Sequence, residues 1–466
     1  MARKYDVIII GGGPAGIFAA LELSRSTGLD ILLIEKGNDI GKRKCPVRDT
    51  GDACLSCSPC NVVCGLGGAG AFSDGKLVLS SEVGGQFRDY FSAGDTEALI
   101  KYVDDVYLKF GAPDSLYGDD GEGVENMRRR ASLAGLRLIN VPIRHLGTEH
   151  CSSVLKAMRD SLTPRLEFKL GVNVASIIAG DGGVKGVETD KGEKYLCRYL
   201  VLAPGREGAD WFSREAERLH LTMHNNPVDV GVRVEVPKAV LQELTDVLYE
   251  VKLEFLSKGF DDRVRTFCMC PGGEVIMEST GGSDPVVTVN GHSYADRKSD
   301  NTNFALLVST SFTKPFQEPI AYGKYIARLA NILSGGVLVQ RLGDLLKGRR
   351  STQERIQRGL VRPTLKAITP GDLSFVLPYR HLTGLVEMLR AMDKLAPGVA
   401  SPHTLLYGVE VKFYSCRPQL SQNLETEIDN MFAIGDGAGI SRGLVQASAS
   451  GVAAAREILR RNGGSQ

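Results

Sequence analysis

Residues 5–35 read YDVIIIGGGPAGIFAALELSRSTGLDILLIE, and this stretch decides the fold. An apolar run rich in β-branched residues leads into the glycine-rich segment 11–16, which opens a helical stretch. A second apolar run follows and ends in the acid Glu35. Strand, glycine loop, helix and strand in this order are typical of a βαβ unit. We therefore predict an α/β fold whose parallel sheet begins with residues 5–10.

The glycines of segment 11–16 suit a dinucleotide. Gly11 permits a tight turn, Gly13 lets the backbone approach a pyrophosphate, and Gly16 lets the helix pack closely on the strand. The N-terminus of the helix supplies N–H groups to the phosphates, and Glu35 can accept hydrogen bonds from a ribose. Because strand, loop, helix and acid occur in register, the sequence predicts a dinucleotide site here.

Two later segments also consist of a predicted strand followed by a run of small residues. Residues 430–434 form a short apolar run before GDGAG at 435–439, and YLVLAPG at 199–205 follows a predicted hairpin at 171–188. These segments resemble the FAD enzymes of the glutathione-reductase-like superfold. The resemblance implies that Asp436 binds the ribityl and phosphate region of FAD. It also implies that the following helix directs its N-terminus at the flavin, where its dipole stabilises negative charge on reduced flavin.

A closer resemblance covers nearly the whole chain. The segments GGAGAFSDGK (67–76), GVRVE (231–235), FCMCPGG (267–273), VNG (289–291) and NFALLV (303–308) are similar to those of the uncharacterised FAD-dependent dehydrogenases, or NAD(P)/FAD-dependent oxidoreductases, of bacteria and archaea. This resemblance implies a Rossmann-like FAD-binding domain. Several predicted strands in succession between residues 228 and 310 indicate an inserted α+β substrate or cap domain built on an antiparallel sheet. The cofactor-binding residues implied by the glycine loop and the resemblance are Gly11, Gly13, Ala15, Gly16, Glu35, Lys36, Gly68, Ser73, Val174, Ala203, Gly205, Gly435, Asp436 and Gly439.

Residues 45–64 carry five cysteines: Cys45, Cys54, Cys57, Cys60 and Cys64. The last four have the spacing C-x2-C-x2-C-x3-C, which is that of bacterial ferredoxins with a [4Fe-4S] cluster. In two-cluster ferredoxins the final cysteine of this run serves the other cluster. We therefore favour Cys45 as the fourth ligand and keep Cys64 in reserve. A structural zinc and a metal-free loop of thiols stay open as alternatives.

Length and composition indicate an ordinary globular chain of several domains. The 466 residues divide into an FAD-binding part at 1–225 with the cysteine-rich insert 45–64, a substrate or cap domain at 226–400, and an FAD-binding return at 401–466. In the cap domain we expect a helix over 238–256, several strands, and a turn at 290–292. Because the net charge is +1, we expect no nucleic-acid partner.

Location and chemistry are expectations of the same kind. Apolar runs are too short for a membrane span, and the first strand leaves no room for a signal peptide, so we expect a cytoplasmic protein. Cys268 and Cys270 are candidate catalytic thiols, although free cysteine is often a small buried hydrophobe. Arg442 is the candidate anion-facing residue because it follows GDGAG by three positions.

These features predict a soluble FAD-dependent oxidoreductase that moves a hydride or an electron pair between flavin and a small substrate. Resemblance to geranylgeranyl reductases favours C=C reduction. The middle of the sequence has no second GxGxxG unit for NAD(P)H, so electrons are expected from a ferredoxin-like partner through an iron–sulfur relay, or from a nicotinamide bound without its own Rossmann domain. Alternatives are a disulfide or sulfur-compound reductase using Cys268 and Cys270, an FAD- and folate-dependent tRNA-modifying flavoprotein, and an electron-transfer subunit.

Overall fold

The computed structural model describes residues 3–26, 28–46, 57–119, 121–280, 285–294, 298–310, 318–414 and 416–463. The chain divides into two compact units. The first unit comprises 1–115, 144–226 and 415–466, and the second comprises 116–143 and 227–414. No helix in the described ranges combines the length and the apolar character that crossing a bilayer requires.

The strands are β1 (Arg3–Ile10), β2 (Ile31–Glu35), β3 (Lys76–Val78), β4 (Arg137–Ile139), β5 (Ile143–His145), β6 (Glu167–Leu170), β7 (Val174–Gly180), β8 (Gly183–Thr189), β9 (Lys194–Leu202), β10 (Met223–His224), β11 (Val228–Pro237), β12 (Lys252–Leu256), β13 (Arg263–Cys270), β14 (Glu274–Thr280), β15 (Val286–His292), β16 (Asn301–Thr310), β17 (Leu338–Arg341), β18 (Thr369–Pro370), β19 (Leu405–Lys412), β20 (Arg417–Pro418) and β21 (Met431–Ala433). The helices are α1 (Pro14–Leu23), α2 (Ala93–Lys109), α3 (Gly121–Leu133), α4 (Thr148–Leu162), α5 (Ala209–Arg218), α6 (Lys238–Leu248), α7 (Pro319–Ser334), α8 (Leu342–Leu345), α9 (Gln353–Gln357), α10 (Tyr379–Leu395) and α11 (Leu444–Arg461).

The main sheet of the first unit is parallel at its centre. Its order is β6-β2-β1-β9, and β21 pairs with the second half of β9. The first half of β9 pairs antiparallel with β8, which continues into β7. Strands β1 and β2 are apolar runs because helices and loops cover both of their faces. All the parallel strands therefore end at one edge of the sheet, where dinucleotides bind in such folds.

Helices α1 and α11 pack so closely that only a glycine fits between them. A Cβ on Gly451 would lie 2.1 Å from Ala15 O and 2.9 Å from Ala19 N. Small residues on both helices are buried, and Ala19 and Ala454 are 0% exposed. The two helices that follow the glycine-rich segments therefore form one rigid support beneath the predicted cofactor edge.

The second unit is built on an eight-stranded sheet in the order β18-β17-β19-β11-β16-β13-β12-β4. Except for the short parallel pair of β17 with β18, the strands run antiparallel. The hairpin of β14 and β15 forms a separate ladder. The fold class predicted from sequence, a Rossmann-like domain combined with an α+β domain on an antiparallel sheet, is confirmed.

Two local expectations in the second unit were wrong. The helix expected over 238–256 ends at Leu248, because Tyr249 adopts a left-handed φ of 56° that stops it. Residues 252–256 then form β12 between β4 and β13. The turn expected at 290–292 is instead the end of β15, where His292 pairs with Glu274.

Candidate functional site

The loop between β1 and α1 has the geometry of a phosphate loop. Gly11 has φ +100°, and its N–H donates to Ile34 O at 2.8 Å. A Cβ at Gly11 would lie 2.0 Å from Ala203 O, so neither the conformation nor the space admits a side chain. A Cβ on Gly16 would likewise lie 2.0 Å from Gly11 O, which is the close packing expected of the third glycine.

Gly13 differs from its neighbours because space is open beside it. It precedes α1 with φ −76°, and Pro14 occupies the first helical position. Among the described residues, a Cβ on Gly13 would meet only Gly68 Cα, at 3.8 Å. A side chain here would therefore fill a cradle in front of the helix N-terminus, which is where a pyrophosphate is held in this kind of unit.

Glu35, at the end of β2, organises the loops around it. Its side chain accepts hydrogen bonds from Gly12 N–H at 2.8 Å, Gly37 N–H at 2.9 Å and Gly65 N–H at 2.9 Å. The residue is 6% exposed. The carboxylate thus satisfies three backbone donors in addition to any bond it offers a ribose, a framework role that the sequence did not reveal.

Arg43 holds the residues just before the second glycine loop. Its guanidinium donates to Asn61 O at 2.9 Å, Val62 O at 2.8 Å and Leu66 O at 2.7 Å. Burial lowers the pKa of Arg43 to about 10. Arg43 and Glu35 therefore hold segment 61–66 by hydrogen bonds to its backbone. Sequence reasoning missed Arg43, because the carbonyls it serves carry no side-chain signal.

The described cysteines of the insert do not assemble a metal site. Cys57 is exposed, Cys45 and Cys60 are half-buried, and Cys64 is buried. Burial raises the pKa of the Cys64 thiol to about 11. Within the described part of the chain, no group of three or more His, Cys, Asp or Glu side chains is arranged to hold a metal ion. The predicted ligand Cys54 lies outside the described residues.

The segment after β21 closes the same edge of the sheet. Gly435 and Gly439 have φ of 75° and 72°, and Gly435 N–H donates to Ser450 Oγ at 3.0 Å. A Cβ on Gly437 would lie 2.3 Å from Gly205 O, so the turn after β9 and the GDGAG loop touch through their backbones.

Asp436 lies within this loop and accepts a hydrogen bond from Ser441 Oγ at 2.8 Å. Burial raises the pKa of Asp436, and the charges of Arg206 and Arg442 oppose that rise. Arg442 is anchored by its own N–H, which donates to Gly84 O at 2.7 Å. The charge of Arg442 thus acts on the Asp436 carboxylate.

The other predicted cofactor residues surround these loops or support them. Ala203 N–H donates to Ile10 O at 2.8 Å, and Gly68 lies against Gly13. Ser73 Oγ donates to Gly70 O at 3.0 Å and accepts from Gly75 N–H at 3.3 Å, so its hydroxyl shapes the loop. Of the remaining predictions, Ala15 is buried beneath Gly435, Lys36 is half-buried after β2, and Val174 begins β7.

The N-terminus of α11 carries a buried glutamine that the sequence did not single out. Gln446 Nε2 donates to Ser80 O at 3.0 Å and to Val83 O at 3.1 Å, and Gln446 is 1% exposed. The residue before the helix, Gly443, has φ 95° and gives no side-chain cap. The residue that precedes α11 therefore gives the first N–H groups of this helix no side-chain cap.

Cys268 and Cys270, the candidate catalytic thiols, lie in β13 of the second unit. Cys268 is half-buried and Cys270 is fully buried. They are described further below, together with the buried Arg233 that contacts both of them.

Two regions of the chain match known protein families. Residues 6–47 match the family described as FAD dependent oxidoreductase, and residues 227–413 match the family described as FAD-dependent protein, C-terminal domain-like. An uncharacterized protein of Clostridium beijerinckii is 29% identical over 486 residues, covering 98% of this chain and 81% of that protein. Protein FixC of Escherichia coli is 26% identical over 247 residues, covering 51% of this chain and 45% of FixC.

Among solved structures, glycine oxidase from Geobacillus kaustophilus aligns with a TM-score of 0.41 and 13% identity, over 98% of this chain and 95% of that one. The family match at 6–47 falls on the loop built by Gly11, Gly13 and Glu35. The chain is therefore an FAD-dependent oxidoreductase.

Proposed function

We propose that this oxidoreductase passes a hydride or an electron pair between FAD and a small unsaturated or carbonyl-bearing substrate. The observation that carries the proposal is the backbone contact between these loops. A Cβ at Gly11 would lie 2.0 Å from Ala203 O and a Cβ at Gly437 would lie 2.3 Å from Gly205 O, while space is open beside Gly13. When bound there, FAD supplies two-electron chemistry at its N5 atom. Reduction of a C=C bond is the reaction that the resemblance to geranylgeranyl reductases favours.

The described residues have definable tasks in binding and orienting FAD. Glu35 fixes the loop in front of α1 because its carboxylate accepts a hydrogen bond from Gly12 N–H. Asp436, oriented by Ser441, offers a carboxylate to the hydroxyls of the cofactor. The uncapped N–H groups of α11 favour negative charge at the end of the helix, which stabilises a reduced and anionic ring.

We further propose that the electrons come from a one-electron protein donor of the ferredoxin type. The absence of a second GxGxxG unit from the middle of the sequence supports this source. The spacing of Cys54, Cys57, Cys60 and Cys64 supports an iron–sulfur relay. Arg43 and Glu35 shape the described end of that segment without a metal, so the relay stands apart from the flavin proposal.

Anaerobic reduction of the bound flavin distinguishes a ferredoxin-type electron donor from a nicotinamide. NADH, NADPH and chemically reduced ferredoxin are offered in turn, and flavin bleaching is followed by absorbance. The proposal expects ferredoxin to reduce the flavin fastest, and the wild-type protein to contain iron. The Cys57→Ala, Cys60→Ala double variant should keep FAD and its reduction by dithionite but lose the ferredoxin reaction. Fast reduction by NADPH with no iron present contradicts the relay and leaves the flavin function intact.

A further inference from the structure

The Cys-x-Cys sequence of β13 lies at an irregularity in the second unit. Phe267 pairs with Ala305, whereas Cys270 pairs with Asn303, so three steps along β13 match two along β16. The extra residue is a β-bulge, and Cys268 within it has a left-handed φ of 35°. Bulges and left-handed non-glycine residues are strained features that concentrate at functional sites.

The bulge gives the two cysteines different surroundings. Cys268 is half-buried, whereas Cys270 is 0% exposed. Cys270 Sγ turns back along the strand, because it lies 3.6 Å from Cys268 O, to which it donates in its thiol form. One sulfur is therefore accessible to a small molecule, and the second is held behind it next to the first residue's backbone.

A buried arginine serves the pair. Arg233 Nη2 donates to Cys268 O at 2.6 Å and lies 3.3 Å from Cys270 Sγ, which accepts from it. Arg233 is 0% exposed, and its Nε donates to Asn303 Oδ1 at 2.8 Å. A Cβ on Gly291 would lie 1.9 Å from Arg233 Nη2, so the backbone of β15 closes over the guanidinium.

Charged side chains lie next to Cys270 Sγ. Glu410, which is also 0% exposed, is shared by Arg233 at 3.4 Å and by Lys412 at 2.8 Å. Two cations thus pair with one buried carboxylate, and the Arg233–Glu410 distance is the longer of the two. Glu278 is a further carboxylate whose charge acts on Lys412. A guanidinium left partly uncompensated stabilises a negatively charged sulfur in contact with it.

We propose that Cys268 and Cys270 form a redox-active dithiol that reduces small disulfides. The Cys268 thiolate attacks one sulfur of a disulfide RSSR, which forms a mixed disulfide and releases one thiolate. The Cys270 thiolate, stabilised by Arg233, then attacks Cys268 Sγ and releases the second. One S–S bond is broken and another formed, and two electrons and two protons pass from the dithiol to two RSH molecules.

The pair must then be returned to the dithiol. Two electrons and two protons are required, and fully reduced FAD is a balanced source of both. In this last step alone the inference rests on the proposed function. The disulfide exchange itself depends only on residues of the second unit.

The first experiment tests the exchange without the flavin. Reduced full-length protein is mixed anaerobically with 4,4′-dithiodipyridine, quenched with acid and digested with trypsin. Cys268 and Cys270 fall on one peptide, residues 266–297, because no Lys or Arg lies between Arg265 and Arg297. We expect this peptide to lose two hydrogens and carry no adduct. Cys416, which is also half-buried, serves as the control and should retain a stable mixed disulfide.

Variants of Cys270 and Arg233 test the role of each residue in the exchange. Cys270→Ser should trap the adduct on Cys268, and Arg233→Lys should slow closure of the internal disulfide by about tenfold, since a hydrogen bond to a charged group is lost. Cys270→Ala keeps the small buried volume should the serine variant fold poorly. A wild-type peptide that keeps the adduct, or that does not react while Cys416 does, overturns the dithiol proposal.

A second experiment tests the electron source separately. Protein whose internal disulfide has formed is given limiting dithionite so that only the flavin is reduced, and its reoxidation is followed by absorbance. Reoxidation matched by return of two thiols on peptide 266–297 supports flavin as the donor. Flavin that stays reduced, with the exchange in the first experiment intact, overturns the flavin link and leaves the dithiol activity in place.

Discussion

Glu35 Oε2 accepts a hydrogen bond from Gly12 N–H at 2.8 Å, which ties the end of β2 to the loop in front of α1. The other carboxylate oxygen holds Gly37 and Gly65 in the same way. The acid that the sequence identifies as a ribose partner is therefore also the residue that gives the cradle its shape. Mutations of Glu35 are expected to affect stability as well as cofactor affinity.

Glu35→Ala should destabilise the first unit by several kcal/mol, because three buried N–H groups lose their acceptor at about 1–3 kcal/mol each. Glu35→Gln retains one acceptor oxygen and should cost less. Chemical denaturation of the apoprotein measures both without the contribution of FAD. If Glu35→Ala unfolds at the wild-type midpoint, the framework role is wrong.

Gly13→Leu should abolish FAD binding and leave the fold intact. The side chain has an ordinary φ of −76° and enters the open cradle, so it competes with the pyrophosphate and not with protein atoms. Gly11→Ala should instead unfold the loop, because its Cβ would collide with Ala203 O. Gly28→Ala is the control, since nothing lies within 4 Å of its Cβ in the described structure.

The readouts for these glycine variants are flavin content and circular dichroism after purification. Native spectra with no flavin are expected for Gly13→Leu, and native spectra with full flavin are expected for Gly28→Ala. Stoichiometric flavin in Gly13→Leu would place the pyrophosphate elsewhere.

Alkylation should distinguish the cysteines of the insert in protein stripped of metal by a chelator. The pKa of Cys64 is raised from 9.0 to about 11, which lowers its thiolate fraction at neutral pH roughly hundredfold. Cys57 is exposed and should react first with iodoacetamide. Peptide mass mapping over time gives the order. Equal rates for Cys57 and Cys64 contradict the buried position of Cys64.

Stability should fall between pH 6.5 and pH 4 through His381. Burial lowers the pKa of His381 from 6.5 to about 4, and its Nε2 lies 2.9 Å from Thr310 Oγ1. Since the unfolded chain takes up the proton first as pH falls, the group costs about 3 kcal/mol across this window and nothing further below it. Above pH 6.5 the neutral ring contributes no pH dependence.

His381→Gln keeps a polar group near Thr310 but does not titrate, so it isolates this contribution. Denaturant midpoints of wild type and variant are compared at pH 7 and pH 4.5. The difference in denaturant midpoint between wild type and variant should become smaller, or change sign, at pH 4.5. A gap that is the same at both pH values contradicts a depressed pKa for His381.

The candidate site in the first unit could be predicted because the residues that define each of its loops are close together in the sequence. Gly11, Gly13 and Gly16 lie within six residues, and each has a role fixed by the turn it occupies. The position of Asp436 after an apolar strand is a signal of the same kind. What the sequence could not show is the cross-chain bonding of Glu35 and Arg43, since their partners are backbone groups that any residue would supply.

The second unit was harder because its contacts are between distant residues. The end of α6 depends on a left-handed Tyr249, and nothing in the residue type predicts that conformation. Arg233, Asn303 and Glu410 come together only through the pairing of β11 with β16 and β19. The sequence indicated Cys268 and Cys270 as candidate catalytic thiols, but the contact of Arg233 with both residues is seen only in the structure.

The most direct test of the account is the cofactor content of the wild-type protein. The chain is purified anaerobically, or reconstituted with FAD and dialysed, and flavin, iron and zinc are counted per polypeptide before titration with dithionite. The account predicts one tightly held FAD per chain that takes up two electrons. Protein that folds natively, retains no flavin after reconstitution and shows no flavin bleaching on reduction would contradict it.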